Sequence, residues 1–310
     1  MKAKTIKKVL RQKIDHWIAS IEDEAVRELV SKNVIVTGGA IASMLLKEPV
    51  NDFDVYFRNF ETTKAVANYY VSRFNTKNAS GIPCDIYAED TDGRIKIIIK
   101  SSGIASEEGS TKPFEYFESR PADEASGYVG EVLGDAERVE EAYDTAESMA
   151  LADEDHGYRP VFMSTNAITL SQKVQIIVRF YGEPDVIHQN YDFVHCTNYW
   201  TSWNNELVLR QPALEALLAR ELRYVGSKYP LCSVIRLRKF INRGWSVNAG
   251  QILKMIMQLN ELNLKDPAIL EDQLTGVDSA YFLQLMTKVK EKDPDKIDAA
   301  YLVEIIDRIF

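Results

Sequence analysis

Two glycines and two aspartates close together in the chain have the types and the spacing that chemistry would require. Gly38 and Gly39 follow an apolar run, and Asp52 and Asp54 come shortly afterwards, all within residues 33–57. Because side chains alternate along a strand, the two aspartates would share one face while their apolar neighbours point to the other. The apolar face can be buried, and the carboxylate face must meet cations or water.

Paired carboxylates at this spacing favour a metal site. They lie about 7 Å apart, and at an effective dielectric near 20 their repulsion is roughly 2.5 kcal/mol. Mg²⁺ relieves such repulsion, since it binds carboxylate oxygens together with substrate phosphates. A glycine turn before a helix lets backbone N–H groups approach a phosphate closely. The stretch therefore predicts a site for a metal-bound nucleoside triphosphate.

The elements that would position these groups alternate between strands and helices. Periodicity predicts helices over 4–31, 41–46 and 61–74, and strands over 34–36, the aspartate segment, 83–88, 94–100, 167–170, 174–180 and 191–196. Beyond residue 211 it predicts helices over 212–224 and 230–242 and further helices from 247. We therefore expect an α/β fold, of the α+β kind, followed by an all-helical region.

The glycine pair, the short helix and Asp52-Phe53-Asp54 resemble the signature of the DNA polymerase β-like nucleotidyltransferase superfamily. The segments TGGAIASMLL and NDFDVYF are also similar to uncharacterised nucleotidyltransferases of tailed bacteriophages. The serine that usually follows the glycines is replaced by Ala40, and Ser43 comes one helical turn later. The resemblance implies a core with a mixed sheet, in which Gly38, Gly39 and Ser43 bind the nucleotide.

A third carboxylate belongs to the resembled signature, on a strand beside the first two. Tyr191-Asp192-Phe193 repeats the apolar-Asp-apolar pattern, so Asp192 is the first candidate, and Asp85 is the second. The resemblance implies that Asp52, Asp54 and Asp192 are catalytic and hold two Mg²⁺ ions, with Mn²⁺ as a substitute. The alternative for Asp192 or Asp85 is a strand-end carboxylate bonded to a neighbouring loop.

Basic side chains are concentrated between residues 220 and 243: Arg220, Arg223, Lys228, Arg236, Arg238, Lys239 and Arg243. Lys228 and Lys239 are the candidates for contacts with the triphosphate, because an ammonium group binds phosphate as a point charge. The alternative is a solvated basic face that covers the sheet.

The charge of the chain is unevenly distributed. Residues 104–156 hold 16 acidic and three basic residues, so this segment accounts for more than the whole net charge of −9. We expect residues 104–160 to form a solvated acidic insertion, with a partner-docking arm as the functional alternative. No apolar run approaches 18 residues, so we expect no membrane span and a location in the cytoplasm of a bacterial or phage-infected cell.

These observations predict N-terminal helices over residues 1–32, a nucleotidyltransferase core over 33–205 and a helical domain over 206–310. The resemblance implies transfer of a nucleoside monophosphate from an NTP, such as ATP, to an acceptor hydroxyl, with release of pyrophosphate. The acceptor would be an RNA or tRNA end, a protein or a small molecule. The alternative is a catalytically retired fold that acts as a binding or structural protein, for example in a phage particle.

Overall fold

The computed structural model describes residues 1–77, 85–88, 95–98, 157–163 and 166–266, together with Ile269 and Gln273. The predicted acidic insertion up to residue 156, and the helices predicted near the C-terminus, lie outside these residues. The described residues form two compact units. The first unit contains the described residues up to His188 and the segment His195–Leu217. The second unit contains the segment Gln189–Val194 and the described residues from Leu218 onward.

The first unit is a mixed sheet with helices. Its strands are β1 (Val34–Thr37), β2 (Phe53–Phe57), β5 (Pro160–Met163), β6 (Ala167–Leu170), β7 (Val174–Tyr181), β8 (Tyr199–Thr201) and β9 (Glu206–Val208). They pair in the order β5-β6-β7-β2-β1-β8-β9, and β2 runs parallel to β7 while the other pairs are antiparallel. The predicted α/β class with a mixed sheet is confirmed.

A small antiparallel hairpin accompanies this sheet in the first unit. Its strands are β3 (Asp85–Ala88) and β4 (Ile95–Ile98), which pair through Asp85↔Ile98 and Ala88↔Ile95. The two strands lie within the predicted ranges 83–88 and 94–100. Residues 89–94, which join the two strands, lie outside the described residues.

Helices α1 (Ala3–Ala19), α2 (Glu24–Asn33), α3 (Gly39–Leu46) and α4 (Phe60–Lys77) belong to the first unit, with the short helix α5 (Pro184–His188). The predicted apolar stripe of α1 is buried, and Trp17 on it is fully covered. The indole N–H of Trp17 donates to the hydroxyl of Tyr70 on α4 at 2.8 Å. A buried indole needs such an acceptor, so this bond ties α1 to α4 inside the core.

The two faces of the sheet differ in chemistry. The core face carries Phe53, Val55 and Phe57 of β2, which lie in one hydrophobic cluster with Val174 and Ile176 of β7. Asp54 and its alternating neighbours point to the opposite face, because successive side chains of a strand alternate. The alternation predicted for the aspartate segment is confirmed, although Asp52 lies one residue before β2 begins.

The described part of the second unit contains the helices α7 (Pro230–Asn242) and α8 (Ala249–Leu259), with non-helical segments before α7 and between the two helices. Its interior holds edge-to-face contacts of Phe193 with Tyr224 and Phe240, and of Phe240 with Trp245. Helix α7 begins at Pro230 and ends at Asn242, as the proline at its start predicted. No helix in the part of the chain that is described has the length and apolar character needed to span a bilayer.

Two sequence predictions are wrong in detail, and one element was not predicted. The strand expected over 191–196 is absent, because Phe193 forms a single bridge with Tyr224 and Val194–Cys196 then turns into a 3₁₀ helix. The helix expected over 212–224 is α6 (Gln211–Ala219), which ends where Arg220 takes a left-handed conformation with φ 47°. The hairpin of β8 and β9 was not predicted.

Candidate functional site

The glycine turn connects β1 to α3. Gly38 has φ 90° and ψ −147°. Residues with a Cβ rarely adopt this backbone conformation, so glycine is required there. Its backbone N–H donates to the carbonyl of Cys196 at 3.1 Å. Gly38 is the N-cap residue of α3 and has no side chain that could accept a hydrogen bond from the first N–H groups of this helix.

Open space lies beside the second glycine. Gly39 is the first residue of α3. Among the described residues, no heavy atom outside its chain neighbours and the backbone of the helix lies within 4 Å of the position that a Cβ on Gly39 would take. Backbone N–H groups at a helix N-terminus carry partial positive charge and bind anions. The geometry therefore leaves room for a phosphate where the resemblance implied one. Ser43 lies half-buried on the next turn of α3.

The two aspartates lie at the end of β2 that neighbours this turn. Val36 of β1 pairs with Val55 of β2 in an antiparallel register. The residues that follow Val36, including the glycine turn, therefore run alongside those that precede Val55, including Asp52 and Asp54. Both aspartates are half-buried. The first unit thus brings together the glycine pair and the carboxylate pair that the sequence predicted.

A buried polar network supports the glycine turn. The hydroxyl of Thr37, the last residue of β1, lies 2.9 Å from the carbonyl oxygen of Asn198 and 2.8 Å from Nε2 of His188. Because the hydroxyl has one proton and the carbonyl can only accept, Nε2 of His188 is the donor to Thr37. Burial is the main cause that lowers the pKa of His188 to about 4; the Arg210 guanidinium acts in the same direction, and Asp185 opposes them. The imidazole is therefore neutral at physiological pH.

Sequence reasoning missed two polar residues of this region. His188 was not considered, because its contact with Thr37 joins positions far apart in the chain. Gln175 is the in-register neighbour of Asp54 across the parallel pair β2 and β7. Its signal in the sequence was a polar residue near the start of the predicted strand 174–180, whose other polar residue is Arg179.

Asp192 belongs to the second unit and is 6% exposed. It accepts a hydrogen bond from the hydroxyl of Ser233 at 2.9 Å and forms an ion pair with Arg236. Both partners lie on α7. The carboxylate of Asp192 is thus bonded within its own unit.

The other predicted residues are distributed over both units. Lys228 is exposed before α7, and Lys239 is half-buried on α7. Asp85 begins β3, in the hairpin and not in the larger sheet. Among the described residues, no group of three or more His, Cys, Asp or Glu side chains is arranged so that it could hold a metal ion. Two carboxylates suffice where substrate phosphates complete the coordination of Mg²⁺.

Two solved structures are similar to the chain. One is the Thermotoga maritima CCA-adding enzyme complexed with tRNA, with 10% identity, a TM-score of 0.37 and coverage of 89% of this chain and 54% of that chain. The other is the Bacillus stearothermophilus CCA-adding enzyme in complex with CTP, with 10% identity, a TM-score of 0.38 and coverage of 88% and 51%. The chain spans about half the length of these structures.

The search of curated proteins found no match to this sequence. The sequence model of one family matches residues 8–220, which is more than half of the chain and includes the glycine turn and both aspartates of β2. The chain therefore belongs to the Gabija anti-defense 2 (Gad2) family.

Proposed function

We propose that this protein is a metal-dependent nucleotidyltransferase that moves a nucleoside monophosphate from an NTP to an acceptor hydroxyl. The observation that carries the proposal is the placement of Asp52 and Asp54 alongside the Gly38 turn, where Gly39 borders open space. Carboxylates and backbone N–H groups of a helix N-terminus, brought together at neighbouring ends of two central strands, are suited to a cation and to the phosphates that it accompanies.

Asp52 and Asp54 fit a hard divalent cation. Both are half-buried, and their oxygens are the donors that Mg²⁺ and Mn²⁺ prefer. When bound, the cation supplies charge neutralisation at the reacting phosphate. Asp192 as a third ligand and a second Mg²⁺ remain part of the proposal, and so do contacts of Ser43, Lys228 and Lys239 with the nucleotide.

The residues around the turn would act by holding it in one geometry. Neutral His188 donates to the hydroxyl of Thr37, which donates to the carbonyl oxygen of Asn198. The Gly38 N–H donates to the carbonyl oxygen of Cys196. A fixed turn keeps the N–H groups of α3 aimed at one position, so the phosphates would be bound without reorganisation of the backbone. The site needs no side-chain nucleophile, since the acceptor hydroxyl attacks the phosphorus and pyrophosphate leaves.

The family gives this chemistry a setting. Its name describes action against a defence called Gabija, and we propose that nucleotidyl transfer in an infected bacterial cytoplasm is the means. An RNA or tRNA end, a protein of the defence or a small molecule would provide the acceptor hydroxyl. The acidic insertion 104–160 would dock the partner.

A second candidate function is binding without turnover. Two observations favour it: the neighbour of Asp54 on β7 is the neutral Gln175, and Asp192 is ion-paired with Arg236. On this alternative the fold would retain a nucleotide or a partner and transfer nothing.

One experiment separates the two candidates. The protein would be incubated with each labelled NTP, Mg²⁺ or Mn²⁺, and total RNA and lysate from host cells, while calorimetry measures NTP affinity. We expect label on one acceptor class, and loss of both labelling and affinity in Asp54→Asn. Asp15→Asn is the matched control, since Asp15 is a half-exposed carboxylate on α1 that pairs with Arg11.

The outcomes are distinct. If Asp54→Asn labels an acceptor as well as the unmodified protein does, the proposed site is wrong. NTP binding without labelling of any acceptor would favour the second candidate.

A further inference from the structure

A groove of about 520 Å³ lies between helix α1 and the β8–β9 hairpin of the first unit. Lys4 and Lys7 line it from α1, and residues 204–207 line it from the hairpin. One helical turn beyond Lys7, the guanidinium of Arg11 donates to the carbonyl oxygen of Ser202 at 3.1 Å. This bond joins α1 to the start of the hairpin turn, so the two walls of the groove are fixed to each other.

The wall formed by α1 is basic. Lys4, Lys7 and Arg11 recur at i, i+3 and i+7, so they share one face of the helix. Residues 1–14 hold six basic residues and no acidic one. Lys4 is exposed and Lys7 is half-buried, and neither forms an ion pair with a carboxylate in the part of the chain that the structure describes. Both ammonium groups are therefore available to an anion from outside.

The hairpin wall adds a further donor. The carboxamide of Asn205 accepts a hydrogen bond from the indole N–H of Trp200 at 3.0 Å. Because an indole N–H can only donate, the contacted atom is the oxygen, and the NH₂ of Asn205 remains. Within the described ranges this NH₂ makes no hydrogen bond. The carboxylate of Glu206 in the same wall accepts from the amide of Asn204 at 2.8 Å. The groove thus offers two ammonium groups and an amide, which suit phosphate oxygens.

The turn of the hairpin contributes an aromatic ring. Trp203, beside Asn204, is half-buried, and the guanidinium of Arg58 lies 4.8 Å from the centroid of its ring. Indole rings and guanidinium planes are the surfaces on which unpaired bases stack. Lysines that bind phosphate, placed next to a ring that stacks on a base, are typical of proteins that bind single-stranded nucleic acid.

We propose that the surface formed by Lys4, Lys7, Trp203 and Asn205 binds single-stranded RNA. The lysines and the amide contact backbone phosphates, and the indole stacks on a base. This inference rests on the proposed function and selects an RNA end among the proposed acceptors. RNA is the fitting nucleic acid because proteins recognise its unpaired ends and loops by stacking.

The surface lies within reach of the glycine turn. At one end of β1, Thr37 pairs with Tyr199 of β8 directly before that turn. At the other end, the carbonyl oxygen of Val34 accepts from the N–H of Ser202, where the hairpin turn begins. The strand rises about 10 Å between these ends. Stacked nucleotides advance about 3.4 Å each, so roughly three of them cover this distance.

The test measures RNA binding without catalysis. Fluorescence anisotropy follows a labelled single-stranded RNA of about twelve nucleotides as the whole chain is added, in EDTA and without NTP, at several salt concentrations. Lys4→Ala combined with Lys7→Ala should weaken binding about 25-fold at roughly 0.1 M salt. It should also lower the slope of log affinity against log salt by about 1.4, because each phosphate contact on a single strand contributes about 0.7.

The matched control combines Lys32→Ala with Lys64→Ala, which removes the same charge from exposed lysines of α2 and α4. It should leave the salt slope unchanged. Trp203→Ala should weaken binding about tenfold, whereas Trp203→Phe should keep most of the affinity, because a phenyl ring also stacks on a base.

The outcomes separate this inference from the proposed function. Equal affinity in the Lys4/Lys7 variant and its control would overturn the inference and leave the proposed function with a protein or small-molecule acceptor. RNA binding that depends on these lysines, in a protein that labels no acceptor, supports the inference and removes the proposed function. Tighter binding of single-stranded DNA of the same sequence, or of poly-glutamate, would overturn the assignment to RNA. If circular dichroism shows Trp203→Ala to be unfolded, the lysine variant carries the test.

Discussion

The buried imidazole of His188 should make stability depend on pH in a defined window. Its pKa is about 4 in the folded protein, against an ordinary value of 6.5, mainly because burial disfavours the charged ring. Between these values the unfolded chain binds a proton that the folded chain does not. Stability contributed by His188 is therefore complete above pH 6.5 and is lost as the pH falls towards 4.

The size of the effect follows from the shift. A difference of one pKa unit corresponds to roughly 1.4 kcal/mol, so the shift of His188 predicts a loss of about 3 kcal/mol across the window. Such a loss is a substantial part of the stability of a typical domain. The Arg210 charge acts with burial and the Asp185 charge acts against it, and these two side chains form an ion pair with each other.

The assay compares the protein with His188→Gln by urea unfolding at several pH values from 4 to 8. Glutamine can still donate an N–H to Thr37 but does not titrate. The difference in unfolding free energy between the two proteins should be constant above pH 7 and should change by about 3 kcal/mol, to the disadvantage of the histidine protein, on the way to pH 4. Parallel pH curves for the two proteins would refute the reasoning.

Three further predictions concern the turn and the second unit. Gly38→Ala should destabilise by about 1–3 kcal/mol because of its positive φ. Gly39→Ala should leave the unfolding free energy unchanged or raise it by up to about 1 kcal/mol. It should weaken NTP binding measured by calorimetry, and unchanged NTP affinity would contradict the phosphate position beside Gly39. Arg236→Ala should lower the unfolding free energy, measured with urea, by about 3 kcal/mol or more. The loss should exceed that in Asp192→Asn. The Asp192 side chain is 5% exposed and would keep a charge without its ion-pair partner, whereas the Arg236 side chain is 38% exposed and can be solvated. If Asp192→Asn lowers the unfolding free energy more than Arg236→Ala does, the explanation by a buried carboxylate without its partner is wrong.

Local patterns predicted the parts of the site that depend on neighbours in the chain. The alternation of Phe53 and Val55 with Asp54 has the period of a strand, and the glycine pair marks a turn before a helix, so both could be read directly. Pro230 likewise marked the start of α7. These features are encoded within a few residues of each other.

Features that depend on distant pairing were not accessible. The apolar-Asp-apolar pattern around Asp192 predicted a strand, but its pairing is limited to the bridge of Phe193 with Tyr224, which lies far along the chain. The neighbour of Asp54 on β7 is fixed by register, and no local pattern shows that Gln175 is that residue. The bond from His188 to Thr37 is of the same kind.

The parallel pairing of β2 with β7 has a consequence for how the chain can change. The acidic stretch lies between β4, which ends at Ile98, and β5, which begins at Pro160, within the longer segment that joins the adjacent central strands β2 and β7. The entropy lost on closing a connection between two fixed ends rises only with the logarithm of its length. Residues can therefore be gained or lost between β4 and β5 at little thermodynamic cost, while the aspartate strand keeps its partner.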